Sequence, residues 1–341
     1  MTHFDIVPVA PSDHALTEAW LDLQEAVDGH DFAGLRPRGP VWPLMRLVVG
    51  GGDTRREHWA AVCDGKVLGH LDLNFSDQDN THLLGFTLGV HPAERRRGVG
   101  SALLRHAEER AAEDGRSTLH CWTAVPHESS PLVRGDGGSF LVSKGYKGSL
   151  DAAIRKVDLD QVDESALDRL LDEAWERAEG FELVPFEGAP PEELLDGMAY
   201  LHSRMYTDMP LGEWDLQEAD IDRGRLLDWS RQRRRRGELH LQVAVRHKES
   251  GEVAGFTEIV VEAGEERHCS QGDTIVDPRF RGHRLGTVLK VANQRRVREW
   301  RPKMRYVWTG NAVSNEYMIS INEAVGYRLA GQERVFQKTI A

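Results

Sequence analysis

The sequence predicts an α/β protein made of two tandem copies of one domain, and three observations carry that prediction. The phrase LGVHPAERRRGVGSALL (88–104) is answered by TIVDPRFRGHRLGTVLK (274–290): Val276 falls on Val90, Pro278 on Pro92, Arg281 on Arg95 and Gly286 on Gly100, each 186 positions later. The same offset joins Gly65 to Gly251, Gly69 to Gly255, Trp122 to Trp308 and Thr123 to Thr309, and Gly145-Tyr146 meets Gly326-Tyr327 at 181. A repeat this long is a whole domain rather than a solenoid unit. Third, 341 residues suffice for two cores. The copies are expected at 1–157 and 181–341, joined by a connector with a helix at 158–180.

In chain order, residues 4–9 read as a strand, and Ser12 or Asp13 caps a helix with Leu16, Ala19, Trp20 and Leu23 on one face. Residues 28–43 are turn-rich. Residues 58–63 and 67–73 form a hairpin across Asp64-Gly65, a two-residue turn that suits twisted strands. Residues 86–90 are a strand ended by Pro92, residues 101–112 have helical periodicity, and 119–125 is the next strand. Residues 127–138 are polar and glycine-rich and predict a mobile loop, and 152–157 is the last strand of the first copy. The connector helix at 165–177 carries Leu167, Leu170, Leu171, Ala174 and Trp175 as a packing stripe between the domains. The second copy opens with Phe181 to Pro185, and a helix follows Pro190-Pro191. The basic run RQRRRR (231–236) suits a coenzyme phosphate or an acidic partner, but a solvated helix face is the commoner meaning.

Composition narrows the class. With 40% hydrophobic and 29% charged residues the chain is not disordered. No apolar run approaches a membrane span, and residues 1–11 lack a signal-peptide pattern. Cys63, Cys121 and Cys269 have no metal or redox spacing and fit a reducing cytoplasm. A net charge of −12 argues against nucleic acid and favours a cationic substrate.

The turn between the motif strand and its helix, Arg95-Arg96-Arg97-Gly98-Val99-Gly100, has the makings of a phosphate site. Glycines let backbone amides approach an anion, and the helix N-terminus adds its dipole. A basic turn with a glycine cap is the plainer alternative, which two copies in register make less economical. The pattern lacks the Gly-Lys-Ser/Thr of a P-loop and the spacing of a dinucleotide fingerprint.

A strand, V-x-P and then Arg-x-x-Gly-x-Gly at a helix start resemble the coenzyme A pyrophosphate loop of the GNAT acetyltransferases. GDTIVDPRFRGHRLGTVLK with TGNAVSNEYMISINEAVGY resembles actinobacterial tandem-GNAT proteins. The resemblance implies a mixed, mostly antiparallel sheet flanked by helices in each copy. It also implies acetyl-CoA as donor and direct attack of a primary amine on the thioester. Pantetheine would lie along Leu88 and Val90 or Thr274 and Val276. Pyrophosphate would meet Arg95, Arg96, Arg97, Gly98, Gly100 and Ser101, or Arg281, Gly282, His283, Leu285, Gly286 and Thr287, with Asn315 at a family asparagine position. Both copies depart from the pattern. Arg134 and Leu141 stand where the first copy would carry that asparagine and a general-acid tyrosine; in the second, Arg284 replaces a glycine and Asn322 the tyrosine. Asn322 can hydrogen-bond an oxyanion but cannot act as an acid. Tyr317 is the nearest phenol.

For a base, Glu258 aligns with Asp72 at the 186 offset, and Asp273 opens the second motif strand. Either acts if burial raises its pKa. Surface acids on a strand face are the alternative. His82, His91 and His268 rank lower. Trp42, Trp59, Trp122, Trp214 and Trp308 are core residues or acceptor-pocket walls. The expected activity is acetyl-CoA-dependent N-acetylation of a small-molecule amine by a cytoplasmic monomer or homodimer, without metal, membrane or nucleic acid. An acyl-CoA-binding protein with one or both copies inactive, or a protein acetyltransferase, is the alternative. The second copy is favoured for catalysis, with coenzyme allowed in both.

Overall fold

Duplicated sequence gives duplicated elements, but they join into one sheet. The protein, a computed structural model, is described over residues 3–340. The first repeat runs β1 (Asp5–Pro8), α1 (His14–Asp31), α2 (Trp42–Val48), β2 (Thr54–Cys63), β3 (Lys66–Ser76), β4 (Leu83–Val90), α3 (Val99–Glu113), β5 (Thr118–Val125), α4 (Gly137–Ser143) and β6 (Lys147–Asp158). After α5 (Glu164–Arg177) come β7 (Phe181–Glu187), α6 (Leu195–Asp208), α7 (Arg223–Arg235), β8 (Leu239–His247), β9 (Val253–Val261) and β10 (His268–Val276). The chain ends with α8 (Leu285–Trp300), β11 (Tyr306–Ala312), α9 (Glu316–Ala324) and β12 (Arg328–Thr339).

The 12 strands are ordered β1-β2-β3-β4-β5-β12-β6-β11-β10-β9-β8-β7. Pairing is antiparallel except β4 with β5 and β10 with β11, so the sheet is mixed and mostly antiparallel, as predicted. The closing strands are exchanged between repeats. β12 pairs with β5 from Gln332/Val125 to Thr339/Thr118, and β6 pairs with β11 from Asp158/Tyr306 to Ala152/Ala312. Each parallel pair meets over three residues, Leu83–Gly85 with Thr118–His120 and His268–Ser270 with Tyr306–Trp308, and then splays. The splay opens a wedge in each repeat.

Local chemistry accounts for the elements. Asp64 and Gly65 have φ of 49° and 77°, the turn that joins right-twisted strands. Asp13 caps α1 through the Leu16 amide, and Asn315 caps α9 through the Met318 amide. Leu103, Leu104, Ala107 and Ala111 turn the buried face of α3 into a core with Leu71, Leu73, Phe75 and Tyr146. Tyr327 takes the place of Tyr146 in the second core, with Ile259, Val291 and Val307.

Three expectations are corrected. The 127–138 stretch is tied down rather than free: Val133 bridges Phe32, Ser130 and Val133 are buried, and the Arg134 amide donates to the Asp31 carbonyl. The stripe of α5 packs chiefly on the second repeat, with Leu171, Ala174 and Trp175 beside Val288 and Leu289, while Leu167 and Leu170 share a cluster with Val157 of the first. The basic run is only partly solvated, because Arg233 reaches the buried carboxylate of Glu258. A helix residue pointing inward found a buried acid, which periodicity of a six-residue charge run does not reveal.

Candidate functional site

The two wedges have diverged, and one extra residue is the cause. In the first repeat β3 and β4 pair without interruption from Gly69/Val90 to Phe75/Leu84. In the second, the partners Ile259/Gln271 and Thr257/Thr274 enclose an extra residue in β10, a β-bulge at Gly272-Asp273. A bulge re-aims the side chains of its strand and is frequent beside active sites. Gln271 fills the interrupted ladder, donating to the Glu258 carbonyl at 2.7 Å and the Thr257 hydroxyl at 2.9 Å. Glu258 lies directly behind it. A Cβ on Gly272 would stand 2.4 Å from Glu258 Oε1, so only glycine fits.

Glu258 therefore braces the bulge. Its carboxylate is buried, 2.5 Å from His240 Nε2 and 3.3 Å from Arg233. Burial alone would raise its pKa, but Arg233 and His240 hold it well below the usual carboxylate range. Its aligned partner Asp72 is bound in the same way, 2.5 Å from His58 Nδ1 and 3.1 Å from His70 Nδ1. The sequence alignment of the two acids is thus a shared carboxylate-histidine pairing under the sheet.

Asp273, carried outward by the bulge, lines a cavity of about 640 Å³ in the second wedge. Desolvation in the wedge, then the neighbouring Glu258, push its pKa up to about 7, although 44% of its side chain stays open to the cavity. His202 Nδ1 is 3.9 Å from its carboxylate. The cavity wall continues through Thr274 and Val276, the loop residues Arg281, Gly282, Arg284 and Gly286, Lys290 of α8, Gly310 and Asn311 of β11, and Asn315, Tyr317 and Ile321 around α9. At its far end it is lined by Leu150 and Ala152 of β6, Glu333 of β12, Trp122 of β5 and Trp214. The exchanged strands thus put first-repeat side chains into the second-repeat site.

The loop has the shape of an anion cradle. Gly282 and Arg284 have φ of 88° and 53°, alternating with ordinary residues, a backbone that points successive amides to one side. The first turn of α8 adds amides with no intrahelical acceptor. Arg281 donates to the Val276 carbonyl at 3.2 Å and pairs with Asp208 at 2.7 Å, which fixes the loop against β10. His283 turns away to the Arg177 carbonyl, and Leu285 and Thr287 are buried. Thr274 Oγ1 is 2.8 Å from Thr257 Oγ1.

The first-repeat loop repeats this backbone: Arg96 and Gly98 have φ of 63° and 90°. Arg95 donates to the Val90 carbonyl at 3.1 Å and pairs with Asp31 at 2.7 Å, and Arg97 pairs with Glu94 at 2.6 Å. A Cβ on Gly100 would stand 3.5 Å from Val90, 3.6 Å from Phe140 and 3.9 Å from Leu88, three side chains that pack on the first core, much as one on Gly286 would stand 3.1 Å from Ile321. Ser101, at the start of α3, is half-buried.

The remaining candidates divide. Tyr317 stands at the cavity wall and is 60% exposed. Asn322 is buried outside it, donating to Asn311 Oδ1 at 3.2 Å, with its own Oδ1 unpartnered. His82, His91 and His268 have local roles: an ion pair with Asp215, a cap on the Ala93 amide, and acceptance of the Trp308 indole N–H. Trp42 and Trp59 lie away from this cavity, and Trp308 is buried. Glu333 and Lys290 were not among the sequence candidates. Glu333 has no hydrogen-bond or ion-pair partner among the described residues, and burial pushes its pKa up to about 7. Its side chain lies over Ala152 toward β11, where a Cβ on Gly310 would stand 3.3 Å from Oε1.

Comparison with known proteins agrees with the fold. Residues 25–130 match the acetyltransferase (GNAT) family. Over 64 residues the chain is 41% identical to mycothiol acetyltransferase of Amycolatopsis mediterranei, a match spanning 19% of this chain and 21% of that enzyme. A solved tandem GNAT protein from the clavulanic acid biosynthesis pathway superposes with a TM-score of 0.82 at 27% identity, covering 99% of this chain and 98% of that one. A GCN5-related N-acetyltransferase from Sphaerobacter thermophilus shares the fold, with a TM-score of 0.63 at 16% identity over 98% and 95% of the two chains. The family match thus lies within the first repeat, and the chain as a whole has the architecture of a tandem GNAT protein.

Proposed function

We propose that the chain is an acetyl-CoA-dependent N-acetyltransferase for a small primary amine, working in the second-repeat wedge. The observation that carries this reading is the coincidence, in one cavity, of an amide-lined loop, a splayed strand and a carboxylate on a bulge. The donor fits the residues present. The amides of 282–286 suit its pyrophosphate, and the edges of β10 and β11, freed by the splay, offer backbone groups to its pantetheine amides. When bound, the donor supplies the thioester carbonyl that an amine attacks.

The chain's own residues then do three things. Asp273 accepts the proton of the incoming ammonium, its pKa near 7 matching that task at neutral pH. Glu333, Trp122 and Trp214 supply a carboxylate and two aromatic faces, suited to a cationic amine with an apolar body. The apolar remainder of the wall excludes water from the reacting groups. The first repeat serves as the wall that carries Trp122 and as a partner strand for β12.

Calorimetric titration with acetyl-CoA tests the reading, followed by a primary-amine screen read by free thiol release. One equivalent is expected. Gly286→Glu places a side chain and a negative charge among the phosphate-binding amides and should abolish it, whereas Gly100→Glu should leave it unchanged. No binding to the parent protein would refute the reading. Binding lost only in Gly100→Glu would move the site to the first repeat.

A further inference from the structure

The last residue of the repeated motif differs between copies in a way that packing alone does not explain. Leu104 of α3 is a core residue, 2% exposed; its counterpart 186 positions on is Lys290 of α8, also 2% exposed. Lysine is almost never buried without a partner. Lys290 has neither a hydrogen bond nor an ion pair among the described residues; its ammonium lies 5.5 Å from the Tyr327 ring centroid. Yet it lines the cavity, one helical turn beyond Gly286 of the anion loop. The position that a tyrosine acid fills in the resembled family carries Asn322, which cannot give a proton.

We propose that Lys290 is the acid of the second-repeat wedge, giving its proton to the sulfur that leaves the thioester. This rests on the acyl-transfer reading above. As the amine nitrogen bonds to the carbonyl carbon, the C–S bond breaks and its electron pair stays on sulfur. That pair takes a proton from Lys290 Nζ, while Asp273, which has already passed the ammonium's proton to solvent, holds the second proton that the nitrogen sheds as the amide forms. Transfer of the latter proton through solvent restores both groups, so acyl thioester and amine become amide and free thiol with no other reactant. Burial pushes the Lys290 pKa down to about 7, close to what an acid working at neutral pH needs. The groups around it are the Tyr327 phenol at its side and, across the cavity, Asp273, Glu333 and Arg281. A leucine here would complete the core as Leu104 does, so the lysine is retained at the expense of stability.

The test needs no acceptor. Coenzyme A and its desulfo analogue, which lacks the sulfur, are titrated calorimetrically into the parent protein, Lys290→Met and Lys290→Arg from about pH 6 to about pH 9. An ammonium facing the sulfur lowers the thiol's pKa, so the parent should prefer coenzyme A to the analogue by roughly tenfold at pH values between the lysine's pKa and the thiol's own, where one proton is shared by the pair, and by less at either end of the range. Lys290→Met should lose that preference and keep its affinity for the analogue. Lys290→Arg should keep the preference yet fail to support rapid thiol release from acetyl-CoA with any amine found active, since arginine does not give up its proton. Equal preference in the parent and Lys290→Met, or an acyl group left covalently on Lys290 after exposure to acetyl-CoA, would overturn the assignment. If neither ligand binds the parent, it is the acyl-transfer reading that fails.

Discussion

Replacing Lys290 by methionine should stabilise the folded protein, and by an amount that depends on pH. The unfolded amine titrates near 10.5, and burial lowers it to about 7 in the fold. At about 1.4 kcal/mol per tenfold, that gap is a cost of about 5 kcal/mol when the amine is charged in both states. The sign follows from the folded pKa lying below the unfolded one. Above about pH 10.5 neither state is charged and the cost vanishes; it grows as pH falls toward about 7 and is constant below. Relaxation and water in the cavity reduce the figure, so about 3–5 kcal/mol is expected near pH 6 and roughly half as much near pH 9. Methionine keeps the unbranched shape and buries no charge. Urea unfolding of both proteins at several pH values measures the difference. A gap that does not change with pH, or a variant less stable than its parent near pH 6, would show that the ammonium has a partner in the fold and refute the reasoning.

Three further outcomes are expected. Asp72→Asn should destabilise the protein by about 3–5 kcal/mol, because it removes the buried charge and turns one of the two oxygens that His58 and His70 share into a donor. Although burial opposes it, those two histidines hold the Asp72 carboxyl well below its usual range. Its stabilising contribution is therefore complete above about pH 4 and lost on acidification, which an acid-unfolding curve shifted to higher pH in the variant would register. Glu333→Gln should weaken binding of whichever cationic amine the screen yields by about tenfold while leaving coenzyme affinity unchanged, read by separate titrations. Arg284→Gly relieves a left-handed non-glycine residue at φ 53° and should raise stability by about 1 kcal/mol, its exposed pair with Glu173 contributing little. A thermal midpoint unchanged or lowered in that variant would mean that the arginine's contacts outweigh the backbone strain.

Much of the architecture was legible because a duplicated chain checks its own reading. Val90 and Val276, or Gly98 and Arg284, occupy equivalent backbone positions, and the constant offset of 186 is enough to pair them. The exchange of β6 and β12 was not legible. A strand's own pattern records that it is buried on its faces, not which neighbour lies at its edge, and residues 152–157 would read alike beside β5 or β11. The same limit applies to acids. Sequence aligned Glu258 with Asp72, but only packing shows that both are consumed by histidines and that Glu258 supports the bulge instead of facing the cavity. Glu333 escaped notice because its counterpart strand offered no motif, and its isolation depends on three strands brought together from distant sequence. Lys290 stood in plain view at the end of the repeat. A lysine in a helix reads as solvent-facing until α8 is seen to be buried from Leu285 through Val291.

Strand exchange and the bulge in β10 together account for why two copies make one site. Two independent domains would each close their wedge with their own last strand, giving two similar clefts. Here β12 crosses to pair with β5, and the floor beside β11 is made by β6, whose small Ala152 lets Glu333 extend to Gly310. The second cavity thus reaches across the join to Trp122. Once one repeat's wall is the other's pocket, the first repeat can lose its own cleft without being dispensable. Its Leu104 seals a core where Lys290 opens onto a cavity, and that pair of residues is the sharpest record of the division.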